Sequence, residues 1–194
     1  TDTLPHLRDA SDQSAIITTL ANMFYYIGRN DEALTLRALK IKLNLDNDDL
    51  PNLTVGLLNY GISLRAADQL ALAERSFQAA LSLSEAINGA EEIASSRLFL
   101  LILYGDTGQW AQADATYAAL QDAPPRALFW QSAVERQYAV TLIYRDLDAS
   151  AALGRAEDLA QRAGNALSYR QLQRWRGEVA LRASATSRAI HHFE

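Results

Sequence analysis

Cysteine is absent from this sequence, and among its 194 residues there are four prolines and nine glycines. Without cysteine, neither a disulfide nor a thiolate metal site can form, and the absence fits the cytoplasmic location that we predict. No apolar run approaches the ~18 residues that predict a membrane-spanning helix, so we predict no membrane partner. The N-terminal TDTLPHLRDA lacks the basic-then-apolar order of a signal peptide. Because helix breakers are few and no long alternating apolar run occurs, the composition favours an all-helical fold.

Charge is distributed unevenly along the chain. The formal net charge is −5, but from Ala151 onward seven arginines face four acidic residues, a net +3, which leaves −8 on residues 1–150. A basic end of this kind can steer a partner of opposite charge. Nucleic acid is not predicted as a partner, since the net charge is negative and basic residues do not alternate with aromatic ones.

Apolar residues recur at helical spacing along nearly the whole chain. Gly28, Gly108 and Gly164 are predicted to end helices, and Gly105 is grouped with Gly108 as a terminator. We expect Ser11 or Asp12, Asn30 or Asp31, and Asp49 or Asn52 to cap the helices that follow them, with Pro51 in a first turn. Pro124 and Pro125 interrupt helical structure, so a new helix is expected near Arg126. The predicted helices are 13–28, a second one from the cap at Asn30 or Asp31 to about residue 45, and then 52–66, 69–87, 91–107, 110–121, 126–144, 149–163 and 167–182.

Three alanines, Ala33, Ala73 and Ala113, are spaced by forty residues. Other positions keep the same spacing around them, and a fourth copy predicts its alanine equivalent near Leu153, with a fifth at Ala189. Three further positions repeat with each alanine. Large residues stand thirteen and nine positions before it, and another residue stands four positions after it. These sets are Leu20, Tyr60 and Leu100; Phe24, Leu64 and Tyr104; and Arg37, Phe77 and Tyr117.

This pattern resembles the tetratricopeptide repeat, and the best match is carried by Leu57, Tyr60, Gly61, Leu64, Ala73, Phe77 and Ala80. The forty-residue period, and Asn59, resemble the longer bacterial and kinesin-light-chain-like variants. The resemblance implies an all-α fold, a right-handed α-α superhelix (solenoid) of antiparallel helix pairs. Arg37, Asp68 and the fourth pair depart from the pattern. Five pairs are expected, at 12–45, 52–87, 91–121, 126–163 and 167–194, as a single domain that is a fragment of a longer protein.

No catalytic pattern emerges from the titratable residues. His191 and His192 are adjacent and point to different helix faces, and His6 is isolated. No phosphate-binding glycine loop, HExxH or GxSxG motif is present. We therefore predict no enzyme activity, no metal and no cofactor.

In the family that the sequence resembles, the first helix of each pair lines the inner groove. Carried over, this implies an apolar middle and an arginine-rich end, which together fit a protein or peptide segment with an apolar centre and an acidic end. The alternative is that Leu58, Ile62, Leu98 and Ile102 only pack against neighbouring helices. The groove positions are Thr18, Asn22, Tyr25, Leu58, Ile62, Arg65, Leu98, Ile102, Tyr138, Leu142, Arg145, Arg174, Glu178 and Arg182.

Two functions remain open at this point. The first is a repeat scaffold that binds a protein or peptide within a larger protein. The second is a sensor or regulatory arm of a bacterial signal-transduction ATPase or large transcription regulator, which binds a small effector or inhibits intramolecularly.

Overall fold

The computed structural model describes residues 10–182, with side chains from Asp12 onward. Within that range the chain forms nine α-helices and no strand, in the order predicted. It divides into two compact units, Thr1–Phe99 and Leu100–Glu194, with α5 contributing to both. No described helix is both long and apolar enough to span a membrane. The helices are α1 (Ala10–Tyr26), α2 (Asn30–Asp46), α3 (Leu50–Ala66), α4 (Leu70–Ala86), α5 (Ala90–Thr107), α6 (Trp110–Asp122), α7 (Leu128–Tyr144), α8 (Ser150–Arg162) and α9 (Ala166–Arg182).

Seven of the turns between helices share one geometry. A residue with positive φ follows each helix, and the next N–H donates to a carbonyl five residues earlier, as from Gln69 to Leu64 at 2.9 Å. This is the Schellman motif, which satisfies the last carbonyls of a helix. Asp68, a departure from the family glycine, adopts the same conformation at φ 59°. The seven residues are Gly28, Asp48, Asp68, Asn88, Gly108, Asp146 and Gly164, the first five at intervals of twenty.

The predicted caps are only partly correct. The Asp49 side chain accepts a hydrogen bond from the Asn52 N–H, and proline stands in the first turn of α3, as expected. Asn30 and Asp31 are wrong as caps, because α2 begins at Asn30 and the preceding residue makes no side-chain cap bond. Asp12 likewise lies inside the first turn of α1.

Gly105 does not terminate α5, contrary to the prediction, but lies inside it. A Cβ atom at this position would stand 2.7 Å from the Thr141 Oγ1, so a side chain here would collide with α7. The glycine therefore serves close helix packing, and Gly108 alone supplies the turn, with φ 71°.

The core of the first unit is built around the repeat alanines and one aromatic ring. Ala33, Ala73 and Phe77 are fully buried. A Cβ on Gly61 would lie 2.4 Å from the Phe77 Cε1, so the ring packs directly on the α3 backbone. The other side of the ring stacks on Phe99, with centroids 5.5 Å apart. Burying such a ring contributes about 1.5–3 kcal/mol, and the missing side chain at Gly61 makes the contact possible.

The irregular fourth pair has a structural explanation. Pro124 and Pro125 follow the short helix α6, and α7 then ends in a left-handed residue at Asp146, thirty-eight rather than forty residues after Gly108. A longer turn restores the frame, because α8 begins at Ser150, forty residues after α6 begins. Leu153 accordingly occupies the predicted alanine position and is buried. The core of the second unit gathers around it, with Ala139, Ile143, Ala156, Ala160 and Leu172, flanked by Trp175 and Val179.

Candidate functional site

The predicted groove positions on the first three odd-numbered helices divide by burial. Leu58 and Leu98 are 6% and 3% exposed, so they belong to the core and a partner cannot contact them in this fold. These two are corrected to packing residues, as the alternative interpretation expected. The remaining positions keep part of their surface open to solvent. They are Thr18, Asn22, Tyr25, Ile62, Arg65 and Ile102.

The groove positions that were predicted on α7 are displaced by two residues from those on α5. Since α7 begins thirty-eight residues after α5, Tyr138 corresponds to Leu100 rather than to Leu98. Leu142 and Arg145 are displaced in the same way. These residues therefore lie on a different helix face from the groove positions of α3 and α5.

Arg145 and Arg182 are already held by carboxylates of the second unit. The Arg145 Nη1 lies 2.7 Å from the Asp114 Oδ1, which also accepts a hydrogen bond from the Tyr138 hydroxyl at 3.1 Å. Arg182 contacts Asp146 at 2.9 Å and Glu178 at 3.1 Å. An acidic partner would have to displace these groups. Arg174 is exposed and forms no ion pair with any residue that the structure describes.

A buried carboxylate in the second unit was not predicted from the sequence. Glu135, 4% exposed, accepts hydrogen bonds from the Tyr117 hydroxyl at 2.9 Å, from the Arg155 Nε at 2.9 Å and from Gln121 at 3.0 Å. Burial, with the hydrogen bond to Glu135, raises the pKa of Tyr117 to about 12. The sequence signal for a buried polar group was Tyr117, an aromatic residue with a hydroxyl group four residues after the repeat alanine. The cluster is internally satisfied, which indicates a structural role.

In the first unit, Arg37 joins two of the predicted groove residues. Its Nη2 donates to the Asn22 Oδ1 at 3.1 Å, and its guanidinium lies over the Tyr25 ring, 5.2 Å from the centroid. Its Nη1 donates to the backbone carbonyl of Asn59 on α3. One side chain of α2 thus ties α1 to α3. Its own position, buried beneath those helices, makes it a support for the surface residues.

We define the first-helix row as six residues at helical spacing on α1 and α3 that are exposed or half-buried. Tyr26 and Val55 are 82% and 37% exposed, and the Asn59 amide makes no side-chain hydrogen bond with a described residue. No member is charged. Among the described exposed and half-buried residues of α1 and α3, Asp12 and Arg65 are the charged side chains, and neither belongs to the row. The second helices α2 and α4 expose Asp31, Lys42, Asp46, Arg75 and Glu85. The row consists of Thr19, Asn22, Tyr26, Val55, Asn59 and Ile62.

Across residues 10–182, no group of three histidine, aspartate or glutamate side chains is placed to hold a metal ion. The predictions concerning His6, His191, His192, Ala189 and Phe193 lie outside the described residues.

No family model matches this chain, and no curated protein matches it by sequence. Among solved structures, the crystal structure of BtubC (BKLC) from P. vanneervenii is similar, with a TM-score of 0.75 and 17% sequence identity. The match covers 95% of this chain and 80% of BtubC. At this identity the likeness concerns the fold. It confirms that the chain has the all-α fold of a tetratricopeptide-like solenoid, built from helix pairs with the long, forty-residue period.

Proposed function

We propose that this chain is an interaction scaffold that binds a protein or peptide segment along the first-helix row. The observation that carries the proposal is the absence of charge from this row, on a protein whose second helices expose charges of both signs. The core of a protein interface is depleted of charged residues and enriched in aromatic ones. The helical repeat fold supports the proposal further, because stacked helix pairs present extended surfaces of this kind.

The chemistry of the row indicates an extended segment with apolar side chains. Val55, Ile62 and Tyr26 supply apolar area that is still open to solvent. Between them, the Asn59 amide can donate to and accept from the backbone of a bound segment, since an amide carries both functions. Arg37 donates to the Asn22 side chain, which orients that residue before a partner arrives, and to the backbone carbonyl of Asn59, which ties α3 to α2. Preorganisation of this kind lowers the cost of binding.

We also propose that the bound segment has an acidic end, which would contact arginines in the C-terminal part of the chain. Arg145 and Arg182 would have to exchange an internal carboxylate for one from the partner. Surface ion pairs such as Arg182–Asp146 contribute about 0–1 kcal/mol, so this exchange costs little. Arg174 is open to an acidic group without any exchange.

Selection of binders from a displayed library of random peptides tests the proposal. Peptides that bind the wild-type chain should lose about tenfold or more in affinity on Ile62→Glu, which places an unpaired charge in the interface. Asn59→Ala should weaken binding without altering the apolar contact. The matched control is Leu72→Glu on α4, an exposed apolar residue outside the row.

Binders that are insensitive to both row variants would contradict the proposal. If no peptide is recovered and a small molecule instead raises the unfolding temperature, the sensor function replaces it. Charge reversal at Arg174 tests the acidic end separately, since it should weaken only the peptides that carry carboxylates.

A further inference from the structure

Three polar residues on one face of α2 are buried in the first unit. Arg37, Lys40 and Asn44 are 5%, 6% and 3% exposed. Forty residues later, Phe77, Ala80 and Ser84 occupy the same places. Two cations are therefore enclosed in the first unit, Lys40 at a position where the later repeats have alanine or leucine, and burial lowers the pKa of both.

No carboxylate neutralises these cations within the described part of the chain. Neither Arg37 nor Lys40 forms an ion pair with a described residue. Asp49 acts on Lys40 from a distance and raises its pKa, but its own side chain caps α3. The groups that do contact the cations, at Thr18, Asn22 and the Asn59 carbonyl, are neutral acceptors. An enclosed charge without a counter-charge is costly, and here there are two of the same sign.

Several donors in the cluster have no acceptor. The Arg37 Nε and the Asn44 Nδ2 are buried without a hydrogen-bond partner among residues 10–182. The Lys40 ammonium uses one of its three N–H groups on Thr18, at 2.7 Å. Arg37 and Lys40 line a small gap beside Gly56, which contributes no side chain, and the Asn44 Nδ2 would lie 3.5 Å from a Cβ atom on that glycine. What is missing from the cluster is an acceptor, and an anionic one would also balance the charge.

The gap is a cavity of about 10 Å³. That volume has room for about one water molecule or one monatomic ion. Its lining combines the two cations with apolar and amide groups, which suits a weakly hydrated anion. The lining residues are Ile17, Thr18, Ala21, Asn22, Arg37, Lys40, Gly56 and Asn59.

We propose that the cavity between α1, α2 and α3 is a specific site for a halide ion, chloride under ordinary conditions, held by Arg37 and Lys40. The bound ion is a structural element of the first helix pair. It stabilises the folded state by replacing the missing counter-charge.

Thermal unfolding in sodium chloride, with sodium gluconate as replacement salt at constant ionic strength, tests this site. Raising chloride about thirtyfold above its dissociation constant should raise the unfolding temperature by about 4–8 °C. Gluconate, which is too large for the cavity, should have no such effect. A shift that is equal in the two salts would overturn the proposal.

The chain supplies a matched control, because its two lysines, Lys40 and Lys42, are neighbours on α2 and one is buried while the other is exposed. Lys40→Met should abolish the chloride dependence, and Lys42→Met should preserve it. A chloride response that survives in Lys40→Met would overturn the assignment. Independently of any variant, crystals grown in sodium bromide should show an anomalous peak between Arg37 and Lys40, and a site without that peak would also overturn it.

Discussion

The first two helix pairs place opposite chemistry at the same position of the repeat. Four residues after its alanine, the second pair has Phe77, which packs on Gly61 and stacks on Phe99. The first pair has Arg37, which hydrogen-bonds to Asn22 and to the Asn59 carbonyl. Both side chains are buried and both join one pair to the next. The turns and the repeat alanines determine the backbone of both pairs. The side chain at this position can therefore differ from one pair to the next.

The second unit has two further residue types at this position of the repeat. At the same position Tyr117 donates to a buried glutamate, and Glu157 accepts from Gln173 and pairs with Arg176. In these two cases each charge finds a counter-charge inside the fold. Only the Arg37 cluster, among the described residues at this position, lacks one.

The largest effect is expected when the aromatic contact is removed. Phe77→Ala should lower the free energy of unfolding by about 3–5 kcal/mol, because the ring is fully buried and the space it leaves cannot collapse on Gly61. Urea unfolding measures this change. Leu72→Ala, at a half-exposed position of α4, should stay within about 0.5 kcal/mol. Equal losses in the two variants would show that Phe77 does not hold the pairs together.

Replacing the two buried cations with apolar residues should raise the free energy of unfolding. Arg37→Met combined with Lys40→Met should raise the free energy of unfolding by about 1–4 kcal/mol at low chloride, because the desolvation cost of two buried charges disappears. Methionine is chosen because Ala21 stands where the second pair has Gly61, so phenylalanine would meet a Cβ atom. The gain should shrink in high chloride. Destabilisation at every chloride concentration would mean that the hydrogen bonds of Arg37 outweigh its desolvation.

A smaller loss is expected for Tyr117→Phe, which removes one hydrogen bond from the buried Glu135. The cost should be about 1–3 kcal/mol at neutral pH. The pKa of Tyr117 in the fold is about 12, above its ordinary value of 10.0. Its contribution is therefore complete below pH 10 and declines as the pH rises through about 12.

Ultraviolet titration of the phenolate checks this pH dependence. The difference between wild type and Tyr117→Phe should show one tyrosine that ionises near pH 12. A difference curve centred near pH 10 would contradict the buried hydrogen bond, and urea unfolding at neutral pH supplies the stability difference.

The smallest effects are expected at the turns. Gly108→Ala should cost about 1 kcal/mol, because an L side chain is strained at φ 71°. Asp68→Gly at the corresponding turn should change stability by about 0.5 kcal/mol or less, since aspartate tolerates this conformation and glycine has a more flexible unfolded state. Thermal unfolding of both variants compares them directly. Equal losses in the two would indicate that the turns do not share one geometry.

Much of the fold was predictable from local patterns. Apolar spacing located the helices, and the alanines at Ala33, Ala73 and Ala113 located the pairs, because both depend on residues near each other in the chain. Errors arose where a local signal had a long-range cause. Gly105 was taken for a terminator, whereas its missing side chain makes room for Thr141 on α7. The two-residue shift of α7 likewise displaced Tyr138 and Arg145 from the expected face.

The candidate site was less predictable for the same reason. Asn22 and Ile62 lie on the open row, while Leu58, on the same helix as Ile62, and Leu98, at the equivalent position of α5, are buried. Which of two adjacent helix faces is covered depends on the next helix pair, which a helical pattern alone does not specify.

By itself, the sequence determined the helices, their turns and the forty-residue period, since each of these follows from residues within one or two turns of one another. Tertiary structure alone decided the environment of Arg37 and Lys40. In the sequence they are two cations on a polar-looking helix, equally suited to solvent. Only the packing of α2 between α1 and α3 encloses them with no ion-paired carboxylate among the described residues, because burial and charge balance depend on groups some twenty residues away in the chain.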